Sequence, residues 1–152
     1  KKYKESGDDY NAIMIKIVAD RLVEAFAEKL HYDVRNNYWG YAKNEKLSFD
    51  EILKGDYSGI RSAIGYPSMP DHTEKEKLFK LLDVKKSVGI GVTESFMMVP
   101  QASVCGLYFA NAEAKNFDVR KIDIEQVTDY AKRKGFTVEK TKKWLSKNYN
   151  EI

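Results

Sequence analysis

The first third of the chain carries one helical pattern too long to sit at the edge of a small fold. Apolar residues at Ile13, Ile17, Leu22, Phe26 and Leu30 recur at helical spacing, and the pattern runs on through Val34 to Tyr38 and stops at Gly40. With Asp8 or Asp9 as N-cap, this predicts a helix of about eight turns that spans the whole body of the domain. Asp20, Glu24 and Glu28 stand four residues apart, so they form an acidic row along one side. Such a row is ordinarily a solvated face.

The segments that follow are shorter. In SFDEILKG, Ser48 and Glu51 have capping-box spacing and Gly55 is a stop, which predicts a short helix. Thr73 and Glu76 repeat that spacing ahead of Leu78, Phe79, Leu81 and Leu82 and predict another. The apolar runs 90–98 and 103–109, separated by Pro100, read as two antiparallel neighbouring strands, and the imperfect alternation of KNFDVRKI suggests a third. A helix begins at Asp123 or Ile124 and closes on basic residues and Gly135, and Thr137 caps a last one. No repeat or linker interrupts the order, so the expected class is α+β in one domain over 1–152: a small antiparallel sheet flanked by helices, one of them long and N-terminal.

Composition narrows the function. Hydrophobic residues make up 43% of the 152, enough for a real core, and 26 basic against 23 acidic residues leave a net charge of only +3. The lysines are scattered rather than gathered in a stripe, which argues against nucleic acid. No apolar run nears the roughly 18 residues of a membrane span, and KKYKESGDDY is not a signal peptide, so the chain reads as a soluble cytoplasmic domain. Cys105 lies in the apolar run SVCGLYF, where a buried thiol is expected rather than a nucleophile.

Motifs for self-contained chemistry are absent. GIGVTES lacks the rest of either a phosphate-loop or a dinucleotide fingerprint. His31 and His72 are far apart and one cysteine adds little, so metal binding is not expected. No serine sits in a nucleophile elbow. Asp71 and His72 are adjacent on an extended segment and point apart, and a turn or cap role for Asp71 competes with an acid–base pair. Met97 and Met98 fit core filling or a soft contact surface.

The stretch from Arg61, RSAIGYPSMPDHTEK, suits neither a helix nor a strand. Pro67 and Pro70 stiffen it and push Tyr66 and Met69 toward extended geometry, while Gly65 permits positive φ or a close backbone approach. A loop of this kind holds its shape before anything binds. Arg61 at its entrance either captures a carboxylate or phosphate with its planar guanidinium, or pairs with an internal acid while Tyr66 packs over Pro67. The residues alone leave both alternatives open.

RSAIGYPSMPDHTEK, taken with TESFMMVPQASVCGLYF, ADRLVEAFAEKLH and YWGYAKNE, resembles the C-terminal activation domain of cobalamin-dependent methionine synthase. The similarity runs from about Asp9 to the end, without a gap between Arg61 and Phe117. It implies a domain that binds S-adenosylmethionine and docks over the corrin of a neighbouring cobalamin-binding module rather than catalysing by itself. There, oxidised cobalamin takes an electron from flavodoxin or a flavoprotein reductase, and the methyl group of S-adenosylmethionine traps the reduced cobalt. The parent enzyme moves methyl from methyltetrahydrofolate to homocysteine. A stand-alone interaction protein that keeps the fold without the ligand is the competing expectation, and a small hydrolase using His72 and Asp71 is a third.

The resemblance also implies a ligand-binding set of Glu24, Arg61, Gly65, Tyr66, Asn116 and Phe117. Arg61 matches the arginine that holds the ligand carboxylate, and Tyr66 the tyrosine set toward the methyl donor and the corrin. Glu24 matches a ligand-lining acid, while Asp20 either remains solvated or faces the cobalamin module. Asn116 and Phe117 match a pair beside the adenosine that is usually aromatic; Asn116 departs from this, so its contact is expected only through backbone groups. The family domain also carries an upstream segment with an aspartate for the ligand amino group. The chain is therefore expected to be the C-terminal portion of such a domain, a fragment or a shortened form, and to bind weakly alone.

Overall fold

The structure, a computed structural model, describes residues 2–149. A short helix α1 (Lys2–Glu5) precedes the long α2 (Asp9–Asp33), whose N-terminus is capped by Asp8 accepting from the Asn11 N–H at 3.0 Å. A five-residue π-helical turn, Val34–Tyr38, continues α2 to the positive-φ Gly40. Its face is not what the pattern suggested. Only Ala12, Ala27 and His31 of α2 are buried, while Ile13, Ile17, Leu22 and Phe26 of the apolar stripe stand exposed. The small Ala27 lets the helix approach the body closely, and the bulky stripe turns outward.

Helix α3 (Phe49–Lys54) has the full Ser48–Glu51 capping box and ends at Gly55 in the left-handed region. Strand β1 (Ile60–Ala63) follows, so Arg61 lies in a strand and not in a loop. Helix α4 (Glu74–Leu81) begins after Thr73, but Thr73 does not cap it. Its hydroxyl instead accepts from Lys134 Nζ at 2.8 Å, a distant partner the local spacing cannot announce. Helix α5 (Val84–Val88) leads into β2 (Gly91–Val92), β3 (Met98–Val99) and β4 (Gly106–Phe109).

The strands make two antiparallel pairs. β2 pairs with β3 as a hairpin that covers the run 90–98 and closes at Val99, and β4 pairs with β1, Arg61 facing Tyr108 in the register. The two runs expected to be neighbours therefore pair elsewhere. Gly106 permits the β1–β4 approach, since a Cβ there would lie 2.5 Å from the Ser62 carbonyl oxygen. The expected third strand does not form. Asp118 accepts from the Arg120 N–H at 2.8 Å, Arg120 takes φ 58°, and the segment's one bridge joins Ile122 to Tyr149. Local side-chain bonding of this sort competes with a sheet ladder.

Helix α6 (Ile124–Lys134), with a full Asp123–Gln126 capping box and Gly135 as its stop, packs on α7 (Val138–Trp144), capped by Thr137. The result is α+β, with two small antiparallel sheets among helices. Val127, Ala131 and Leu145 fill the core between α6 and α7. No helix among the described residues is long and apolar enough to cross a membrane.

Candidate functional site

An open cleft of about 500 Å³ lies where α2, β1, the Gly-Tyr-Pro loop and the segment 116–118 meet. Glu24, Arg61, Tyr66, Asn116 and Phe117 all line it, so five of the six residues singled out from the sequence come together. That volume is within the range of small-molecule sites.

Arg61 reaches the cleft from β1 and is already engaged. Its Nη1 donates to the Ala27 carbonyl at 3.2 Å and its Nη2 to Glu28 Oε2 at 3.2 Å. The arginine side chain nevertheless keeps 20% of its surface accessible. The alternative in which an internal acid pairs with the guanidinium therefore holds, and the same side chain lines the cleft. Glu28 is the third acid of the α2 row, and it is this member that the sequence reading left without a role. Glu24, one turn earlier, is exposed and lines the cleft, and Asp20 is exposed outside it.

Tyr66 is 59% exposed at the cleft rim, held by a tight backbone knot. Gly65 N–H donates to the Met69 carbonyl at 2.7 Å and Met69 N–H to the Tyr66 carbonyl at 2.9 Å. Gly65 does not line the cleft. It has φ 98°, and a Cβ there would lie 2.3 Å from His72 Cε1, so its part is to let the loop close on the imidazole. Across the cleft, Ser62 Oγ donates to Asn116 Oδ1 at 2.7 Å, which ties the 116–118 segment to β1. The Asn116 side chain thus has a structural bond of its own, where a backbone contact alone was expected of it. Phe117 is exposed beside it.

The far side of the loop is anchored by a buried charged cluster. Asp71 accepts from the Thr73 N–H and the Tyr130 hydroxyl, both at 2.8 Å, and pairs with Lys134 Nζ at 2.9 Å. Burial opposes the charge of Asp71, yet these bonds outweigh it and hold its carboxyl below the usual carboxylate range. Burial and the same carboxylate push Tyr130 out of the titrating range. Asp71 is thus a turn and anchor residue. It does not form an acid–base pair with His72, whose Nδ1 meets Lys75 Nζ at 2.8 Å.

Further lining residues, among them Cys105, Met98 and Asp118, were not read as site residues. Cys105 is half-buried, and burial pushes its thiol up, partly offset by the charge of Lys75, so it is protonated at neutral pH. Nothing in the local sequence marks these positions, since β3, the segment just before β4 and the segment 116–118 reach the cleft only through tertiary structure.

A family model described as the activation domain of vitamin B12-dependent methionine synthase matches residues 1–135. The fold is also similar to a solved structure described as the MetH reactivation domain bound to AdoHcy, with 50% sequence identity and a TM-score of 0.95. That similarity covers 99% of this chain and 46% of the other, so the chain spans less than half of that relative's length.

Proposed function

From the premise that the chain belongs to the family of vitamin B12-dependent methionine synthase activation domains, we propose that its cleft binds S-adenosylmethionine and its demethylated product S-adenosylhomocysteine. The observation that carries this reading is the convergence of Arg61, Glu24, Tyr66, Asn116 and Phe117 on one cleft of about 500 Å³. The 50%-identical relative described as bound to AdoHcy supports the same ligand class.

The ends of the ligand suit the residues present. Arg61, whose Nη1 and Nη2 each donate once, to the Ala27 carbonyl and to Glu28, uses its remaining N–H groups for the amino-acid carboxylate. Glu24 offers a negative charge to the sulfonium of the methylated form, which the product lacks. Phe117 gives an apolar wall for the adenosine. Tyr66 stands at the rim, where the reacting methyl faces out of the domain.

In this reading the chain is the C-terminal portion of an activation domain that docks on a cobalamin-binding module of methionine synthase. Cobalamin, when bound to that module, supplies the cobalt that accepts the methyl group, and flavodoxin or a flavoprotein reductase supplies the electron. This chain's own work is to hold S-adenosylmethionine with its methyl exposed, and it provides no general acid or base. A second reading, an interaction module that keeps the fold without the ligand, draws on the ion pair that already occupies part of Arg61.

Calorimetric titration of S-adenosylmethionine into the protein and its Arg61→Ala variant separates the two. Loss of binding in the variant supports the ligand site. Equal affinity removes Arg61 from it, and no binding by either protein, with retained binding to a cobalamin-loaded module, favours the second reading.

A further inference from the structure

We propose that the buried Lys75 and the half-buried His72 form a brace that fixes Tyr66 at the cleft, which makes Lys75 a positioning residue for the ligand. The ligand part of this rests on the function proposed above. Lys75, in the first turn of α4, is only 3% exposed. Its Nζ lies 2.8 Å from His72 Nδ1 and donates to the Phe96 carbonyl at 3.0 Å. Both partners are neutral acceptors. An ammonium buried without a carboxylate loses hydration that such contacts replace only in part, so this placement costs stability on its own account.

What the placement achieves is a connection between three segments. The His72 ring packs directly against Gly65, where even a methyl group would come within 2.3 Å of Cε1. Gly65 is bonded to Met69, and Met69 to Tyr66, so the position of the ring sets the backbone that carries the tyrosine. At the other end, Phe96 sits in the β2–β3 turn at φ 57°, with its ring edge-on to Trp144 of α7 at 5.2 Å. Lys75 therefore ties the Gly-Tyr-Pro loop to the β2–β3 turn and, through it, to α7.

The brace depends on a single proton state. With the ammonium donating to Nδ1, the imidazole is neutral and carries its hydrogen on Nε2. Burial, then Lys75, then Lys147 hold His72 below the ordinary histidine value, with Asp71 opposing them. Burial also lowers Lys75, and Cys105 opposes this only as a thiolate. A second proton on the pair would put two like charges 2.8 Å apart and break the contact.

NMR of the chain tests this. In the wild type, the Gly65 and Met69 amides should lose exchange protection, and the Tyr66 ring signals should shift, with the same midpoint as the His72 imidazole. In Lys75→Met the His72 midpoint should move up, because the cation that disfavours its protonation is gone, which a merely space-filling lysine would not cause. Exchange at the Gly65 amide should rise about tenfold, the local opening that about 1.4 kcal/mol produces, and S-adenosylhomocysteine affinity should fall by a similar factor. Unchanged Gly65 and Tyr66 signals in Lys75→Met, or Tyr66 signals that ignore the His72 titration, would overturn the proposal. Should Lys75→Met not fold, the wild-type titration decides alone. If the wild type binds no S-adenosylhomocysteine, the ligand reading fails while the loop signals still judge the brace.

Discussion

His31 makes the stability of this protein depend steeply on pH. Its side chain is fully buried, stacked on Tyr108 with centroids 4.9 Å apart, edge-on to Tyr57 at the same separation, and 3.2 Å from the Tyr41 hydroxyl through Nε2. Its buried Nδ1 has no hydrogen-bond partner among the described residues. Burial first, then the charges of Arg35 and Arg61, lower its proton affinity from 6.5 to about 4. In the unfolded chain the imidazole takes a proton near its ordinary value while the folded state still refuses it. The unfolded state therefore binds more protons between these two values, and stability, complete above about pH 6.5, falls as the pH drops toward 4. At about 1.36 kcal/mol for each tenfold change in proton affinity, the loss is about 3 kcal/mol. In a domain of this size that lowers the melting temperature by about 6–12 °C. Calorimetric or urea unfolding across this pH range should show the fall, and His31→Gln should flatten most of it. A smaller slope remains, because His72 is shifted the same way. A slope in His31→Gln equal to that of the wild type would refute the reasoning.

Two substitutions test the local framework. Gly65→Ala meets both the strained φ of 98° and the His72 ring, and should cost about 1–3 kcal/mol of unfolding free energy by urea titration; a neutral effect would show that the loop does not pack on the imidazole. Asp123→Ala removes the capping box of α6, whose side chain accepts from the Gln126 N–H at 2.8 Å, and should cost about 1 kcal/mol in the same assay.

The helix ends were largely legible in the sequence because their causes are local. Asp8, Ser48, Asp123 and Thr137 each accept from a backbone N–H three residues on, as their spacing says. Thr73 has the same spacing and fails, since Lys134, distant in sequence, takes its hydroxyl. Strand pairing was illegible for a similar reason: β1 joins β4 across α4 and α5, and no local pattern states that register. The cleft was found through motif resemblance, which brought Glu24, Arg61, Tyr66, Asn116 and Phe117 together where periodicity had left them on separate elements. Glu28 went unread because an acidic helical row looks the same whether its members face solvent or an arginine. The outward-facing stripe of α2 shows the converse, since helical periodicity reports an apolar face without saying what, if anything, covers it.

The most direct test of the site is an NMR titration of S-adenosylhomocysteine into this chain and its Arg61→Ala variant, carried to millimolar ligand so that weak binding still registers. If Arg61 holds the ligand carboxylate through charge-assisted hydrogen bonds, worth about 1.5–3 kcal/mol each, the wild type should show shifts concentrated at Tyr66, Asn116 and Phe117 that the variant loses. Shifts elsewhere in the chain, or the same cleft response from both proteins, would contradict the account.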